Sequence, residues 1–164
     1  MIQQVTNKHD FDALAQLLNE SFATVALEFG LTKENCPTNN AFITREALKS
    51  QLIENREFYT CIMNGQTVGF IAIEKSLNTP DIFYIEKLAV IPAYRYQGIG
   101  RQLMDFATHR IVKLGGKSIS IGLINSNSIL KNWYIKQGYV VRSVKAFDHL
   151  PFEVCFMEKQ ILKT

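Results

Sequence analysis

Cysteine is scarce in this chain and poorly placed for any shared task. Cys36, Cys61 and Cys155 are odd in number and far apart, and none forms a Cys-x-x-Cys pair or sits beside a histidine. Neither a disulfide framework nor a zinc site is suggested, and a reducing, cytoplasmic location is expected. Long apolar runs are also missing: no stretch approaches about 18 uninterrupted apolar residues, so a membrane span is not expected. The opening MIQQVTNKHDFDAL lacks the apolar segment of a secretion signal. Charge of one sign is nearly balanced, with 18 basic residues against 15 acidic ones and a net charge of +3. With no basic run, nucleic acid is not an expected partner, whereas a small polyanion is compatible. No Gly/Ser/Pro-rich linker and no internal repeat divides the sequence, so a single domain over 1–164 is expected.

What is present is ordinary globular material, 47% hydrophobic and 20% charged, with clear periodicities. Ile2 to Val5 reads as a short strand. Phe11, Leu14, Leu17, Leu18 and Phe22 recur at helical spacing, and Gly30 closes that region. The polar segment LTKENCPTNNAFIT reads as a loop, with Thr44 as N-cap of a second helix reaching about Asn55. Phe58 to Met63 and Thr67 to Ile73 flank Asn64-Gly65, a strong hairpin signal because both turn residues tolerate positive φ. Ile82 to Val90 is a longer β-rich run, and residues 99–114 form a helix closed by Gly115-Gly116. Ser118 to Ile121 reads as a strand. Ile129, Leu130, Trp133 and Tyr134 read as a helix stopped by Gly138, with Trp133 expected in the core. Tyr139 to Phe147 and Phe152 to Met157 form a final strand pair. The order βααββ then βαβαββ implies a mixed sheet with helices on its faces.

The stretch IEKLAVIPAYRYQGIGRQLMDF, residues 85–106, places a strand, a glycine-bearing turn and a helix in that order. The first turn of a helix carries N–H groups without intrahelical partners, and the aligned peptide dipoles put about half a positive charge there. Glycines at 98 and 100 remove side chains that would hold a diphosphate away, while Arg95 and Arg101 supply charge and paired hydrogen bonds. R-x-x-G-x-G alone reads equally as a tight turn before a helix. Two other phosphate motifs fail on residue identity. A dinucleotide fingerprint meets Leu103 where its third glycine belongs, and a P-loop ending in Gly116-Lys117-Ser118 meets Ile111.

LAVIPAYRYQGIG (88–100), the helix after it and NSILKNWYIKQGY (127–139) together resemble the GNAT superfamily of acetyl-CoA-dependent N-acetyltransferases. NCPT (35–38) and FDHLPFEVCFM (147–157) resemble one branch of small bacterial-type members, which implies no particular substrate. The resemblance implies an α/β (α+β) fold with a mixed, mostly antiparallel sheet of about six to seven strands and helices on both faces. Strand 82–90 should splay from 118–122 to form the acetyl-CoA groove. Acetyl-CoA is then the cosubstrate, with no metal. Backbone groups of Leu88, Ala89 and Val90 should meet the pantetheine arm, as should Asn127, and the amides of Gln97, Gly98, Ile99, Gly100 and Arg101 should cradle the pyrophosphate. The acceptor should enter between 22–44 and 145–152, and a homodimer is implied by likeness.

The chemistry sets further demands. An alkylamine with pKa near 10.4 is protonated at neutral pH by about three units, so direct attack on a thioester needs a base. Glu86 is the first candidate, because strand alternation places it on the side of Leu88 and Val90, near the splay. Tyr84 occupies the position where other family members carry their base, and a structural ion pair is the competing role for Glu86. Tyr134 matches the family's general acid and is protonated at neutral pH. Lys131 is expected in solvent and His149 at an exposed hairpin tip. Nothing in the sequence activates a cysteine for an acyl-enzyme, so a ternary complex is preferred. Glu28 and Glu34 in the long loop can pair with a cationic acceptor or stay solvated. Two classes of function remain: an N-acetyltransferase acting by direct attack of a primary amine of a small molecule, peptide or protein, or a catalytically silent acyl-CoA-binding sensor or interaction module.

Overall fold

The computed structural model describes residues 1–161, and the last three residues of the expected domain lie outside the described residues. Seven strands form one sheet in the order β1-β2-β3-β4-β5-β7-β6. They are β1 (Ile2–Gln4), β2 (Arg56–Met63), β3 (Gln66–Lys75), β4 (Ile82–Val90), β5 (Ser118–Ile124), β6 (Val140–Lys145) and β7 (Val154–Gln160). Every pairing is antiparallel except β4 with β5. That parallel pair requires a crossover, supplied by the helix between the two strands.

Local chemistry sets the element ends. Helix α1 (Phe11–Glu28) begins where the Asp10 carboxylate accepts the Ala13 N–H at 3.1 Å, satisfying one orphan donor of the first turn. Thr44 does the same for α2 (Arg45–Ser50), accepting from Ala47 N–H at 3.1 Å. The second helix stops well short of Asn55, because the Arg56 guanidinium reaches back to the Gln51 carbonyl at 3.1 Å and the chain turns there into β2. The β2–β3 hairpin turns at Asn64 (φ 52°) and Gly65 (φ 76°), as its sequence signal implies. Helix α3 (Ile99–Lys113) and helix α4 (Ser128–Lys136) follow β4 and β5.

The core lies between sheet and helices. On one face the tilted rings of Phe58 and Phe70 meet with centroids 5.2 Å apart, within the apolar cluster that Leu14, Leu17 and Leu18 of α1 complete. On the other, α3 presents Leu103, Met104, Ala107 and Ile111, all buried, and Phe106 meets Tyr59 edge-on at 4.7 Å. A smaller apolar cluster joins the end of α1 to the long loop through Ala26, Leu31, Cys36 and Ile124.

The β4 strand is not regular. Ala72 of β3 stands opposite Glu86, but Phe70 stands opposite Ala89, so Lys87 and Leu88 together face Ile71. This is a β-bulge, and Lys87 adopts φ 53°, a rare conformation for a residue with a side chain. The bulge resets the alternation. Glu86 shares its face with Ala89, on the α1 side, whereas Val90 pairs with Gly69 on the α3 side. The alternation expected to align Glu86 with Val90 is therefore broken between them.

Candidate active site

Strands β4 and β5 are paired only from Ile82 opposite Ser118 to Tyr84 opposite Ser120. Beyond that point β5 stays with β7 along its whole length while the bulged β4 stays with β3, and the two part. The sequence-level expectation of a splay is met. A groove of about 780 Å³ opens in the gap, within the usual range of small-molecule sites. Leu88, Ala89 and Val90 line it. The β4 edge has no strand partner toward β5 there, so its backbone groups, apart from the Val90 carbonyl that Arg95 engages, are available to an extended chain laid alongside.

The far end of the groove is the start of α3. Gly98 is the N-cap at φ 80°, in the left-handed region that favours glycine, and no side chain caps this helix. The Gln102 N–H bonds the Gly98 carbonyl at 3.0 Å, and the N–H groups of Ile99, Gly100 and Arg101 before it have no intrahelical acceptor. Gly98, Ile99, Gly100 and Arg101 all line the groove; Gln97 is exposed and lies off it. Arg101 is paired with Asp105 at 3.1 Å, both side chains being more than half exposed.

Arg95 has a different task from the one its position suggests. Its Nε donates to the Val90 carbonyl (3.1 Å), one terminal nitrogen to Thr24 Oγ1 (3.0 Å) and the other to the Ser21 carbonyl (2.6 Å). The guanidinium thus clamps the loop before α3 onto α1. Ser21, itself buried, has no partner for its hydroxyl among the described residues and lines the groove.

Glu86 enters the groove from β4, whereas Tyr84, on the same face, is exposed and lies off it. Arg56 pairs with Glu74 at 3.0 Å and approaches Glu86 with its Nε at 3.6 Å. Burial and then the adjacent Glu74 carboxylate push the Glu86 pKa up to about 7, against the smaller opposing pull of Arg56 and Lys87. Glu74 moves the other way, held below the usual carboxylate range by its hydrogen bond with Glu86 and by Arg56.

On the opposite wall α4 supplies Tyr134, buried but lining the groove, with its ring edge-on to Trp133 (5.1 Å) and to Tyr139 (5.5 Å). Burial pushes its phenol pKa above the ordinary value, so it stays protonated. Asn127 also lines the groove, and its Oδ1 caps α4 by accepting the Leu130 N–H at 3.2 Å. Trp133, expected in the core, packs half-buried against the main apolar cluster and also forms groove wall, 3.6 Å from where a Cβ on Gly100 would sit. Lys131, expected in solvent, is partly buried and donates to Asn125 Oδ1 at 2.7 Å.

The groove is also walled by Phe22 and Val25 of α1, Asn39 and Asn40 of the long loop, and Leu150 and Phe152 before β7, residues of the two segments expected to flank the acceptor. Glu28 and Glu34 are exposed and lie off the groove, as does His149, which rests against Phe147. Sequence reasoning missed Lys87, Asn40 and Tyr96 as lining residues. Lys87 and Tyr96 (φ 63°) are set by local backbone conformations for which no Gly or Asn signal exists. All three cysteines are unpaired and buried. Among the described residues no group of three His, Cys, Asp or Glu is placed to hold a metal ion.

A bulged strand parting from its parallel neighbour, an uncapped helix start at the gap, and a carboxyl and a phenol within one groove define a mixed α/β protein with a small-molecule site suited to an anionic, amide-bearing ligand. The chain belongs to the GNAT acetyltransferase family: the acetyltransferase (GNAT) domain matches residues 30–159. The chain is similar in fold to the ribosomal-protein-S18-alanine N-acetyltransferase from Escherichia coli, with a TM-score of 0.78 and 17% identity over 100% of this chain and 95% of that one. The PaiA N-acetyltransferase from Thermoplasma acidophilum, solved in complex with coenzyme A, superposes with a TM-score of 0.73 at 19% identity, covering 98% of each chain. A GNAT-family acetyltransferase from Streptococcus pneumoniae gives a TM-score of 0.71 at 20% identity, again over 98% of each. No curated protein sequence matches significantly. The family uses acetyl-CoA as donor, and the protein is an N-acetyltransferase.

Proposed function

We propose that the protein acetylates a primary amine by direct attack in a ternary complex, with Glu86 as base and Tyr134 as acid. The observation that carries this reading is that both side chains line the same groove as the uncapped start of α3. The residues present fit coenzyme A on physical grounds. Three N–H groups without intrahelical acceptors suit a diphosphate, and the open edge of β4 suits an amide-bearing arm. Ile99, Gly100, Arg101 and the Gly98 turn hold the phosphates, and Leu88 to Val90 with Asn127 hold the arm. Arg95 is left out of this set because α1 occupies it.

Bound acetyl-CoA supplies an activated acyl group on sulfur. Glu86, with a pKa of about 7, accepts the ammonium proton through water, freeing the nitrogen lone pair to form the C–N bond as the C–S bond breaks. Tyr134, held neutral by burial, gives its proton to the departing sulfur and regains one from the nitrogen, which sheds its second proton as the neutral amide forms. The three unpaired cysteines agree with a cytoplasmic setting. Thiol release from acetyl-CoA across an amine panel, alongside calorimetry with coenzyme A, tests the reading. Release with at least one amine is expected. No heat at millimolar coenzyme A would remove the groove's assignment.

A further inference from the structure

Lys87 is the one groove-lining cation that neither the phosphate end nor the α1 clamp accounts for. Four charged side chains line the groove: Glu86, Lys87, Arg95 and Arg101. Arg95 is held by α1, and Arg101 sits at the α3 start with Asp105. Lys87 projects from the β4 bulge, where its backbone is held at φ 53°. A side chain kept in that conformation needs surroundings that enforce it, and such positions concentrate at ligand sites.

The enforcement is visible. Lys87 Nζ donates to Asn40 Oδ1 at 2.8 Å, and Asn19 of α1 pins the same turn by donating to the Asn40 carbonyl (3.0 Å) and the Ile43 carbonyl (3.1 Å). An ammonium has three donors, and one is used here. No carboxylate comes within ion-pair distance of Lys87 among the described residues, and Glu86 beside it faces Arg56 and Glu74. Burial pulls its pKa down, with the Glu86 carboxyl opposing that pull from beyond ion-pair distance. The surrounding wall at this end is apolar, from Phe22, Val25, Leu150 and Phe152.

We infer that Lys87, presented by the β4 bulge and steered by Asn40, receives a carboxylate of the acceptor, so that the preferred substrate is an amino-carboxylate with an apolar body. This rests on the acetyltransferase reading of the same groove. It sets the acceptor apart from polyamines and other purely cationic amines, for which Lys87 is repulsive. The carboxylate binds without covalent change.

The test uses matched acceptors that differ only in the carboxylate: L-phenylalanine against 2-phenylethylamine, and L-leucine against 3-methylbutylamine. Each is assayed by thiol release from acetyl-CoA with the full chain. The wild type is expected to favour the carboxylate member. Since a carboxylate also alters the amine's own pKa, the decisive quantity is the change in the kcat/KM ratio between pair members when Lys87→Met is introduced. That change cancels the intrinsic difference. The ratio should fall by about tenfold or more, the scale of one charge-assisted hydrogen bond, and Lys87→Arg should retain most of it.

Lysine, methionine and arginine meet the same backbone demand at φ 53°, so thermal melts of the three proteins report on folding independently. A merely structural brace would raise KM for both pair members alike and leave the ratio where it was, which overturns the inference alone. So does a wild type that prefers the decarboxylated amine. Coenzyme A binding without thiol release from any amine overturns the transfer reading itself, and this inference with it.

Discussion

At Glu86 a single carboxyl group meets opposing influences: burial and Glu74 favour its proton, and Arg56 and Lys87 favour its charge, with the first pair stronger. A base must be unprotonated to act, so with a pKa near 7 kcat/KM should rise as pH increases through that value and level off above it. Glu86→Gln should lower kcat/KM by about 10²–10⁴-fold, the usual worth of a positioned base, and erase that limb of the profile. A limb that persists in the variant places the base elsewhere, and Tyr84→Phe is then the next protein to assay. Tyr134 is read on the other side of the reaction. Removing only its oxygen in Tyr134→Phe keeps the ring contacts with Trp133 and Tyr139, so kcat should fall by about 10²-fold or more while acetyl-CoA affinity stays within a few-fold. Equal kcat in Phe and Tyr forms, by stopped-flow thiol detection, would remove the acid role.

Among the elements, the loop between β4 and α3 is held at two points that make separate predictions. Arg95→Ala strips three hydrogen bonds that tie the loop to α1 and β4; the Val90 carbonyl loses its side-chain donor, whereas the Ser21 carbonyl keeps the Thr24 hydroxyl at 3.3 Å. A loss of about 1–3 kcal/mol is expected, read as a melting temperature lower by about 2–4 °C per kcal/mol. Coenzyme A should protect the variant less than the wild type. Gly98→Val puts a β-branched residue at φ 80°, and the open space around that Cβ does not relieve the backbone strain. Coenzyme A affinity should drop at least about tenfold while the protein still melts cooperatively. Unchanged affinity by calorimetry would separate the N-terminus of α3 from the phosphates. Much of this element was legible in the chain. IFYIEKLAV announces β4 by its β-branched and aromatic content, and Gly98 announces the turn, because both signals are local. The bulge was not legible, since Glu86, Lys87 and Leu88 carry no turn residue and the register is decided by β3 across the ladder. Arg95 misled for a similar reason: its partners Ser21 and Thr24 lie more than 70 residues away in sequence, and its spacing from Gly98 records nothing of them. Trp133 read as core, and it does pack on the main apolar cluster; that its outer side is also groove wall follows only from the parting of β4 from β5.

For the molecule as a whole, the same titration that would suit Glu86 to the proposed role of base makes its contribution to the fold weaker as pH rises. A carboxyl whose folded pKa is raised binds more protons in the folded than in the unfolded chain, between its unfolded value near 4.5 and its folded value near 7. Stability from this group is therefore full below about pH 4.5 and declines until pH passes about 7. Glu57 has the opposite sign: its bidentate pairing with Arg110 at 2.9 and 2.7 Å holds its pKa down, so its contribution is present above the ordinary carboxylate range and fades as the solution turns acid. Glu74, also held low, follows Glu57, so among these three carboxyls the loss of stability toward high pH belongs to Glu86. Glu86→Gln keeps the shape and hydrogen-bonding capacity of the protonated acid and removes the charge. It should melt higher than the wild type at pH 8 and nearly with it at pH 4.5. Paired calorimetric scans at the two pH values decide this. A variant that is less stable at pH 8 would mean that the Arg56–Glu86 attraction outweighs the burial and the Glu74 repulsion, and that Glu86 serves the fold as an ion-pair partner.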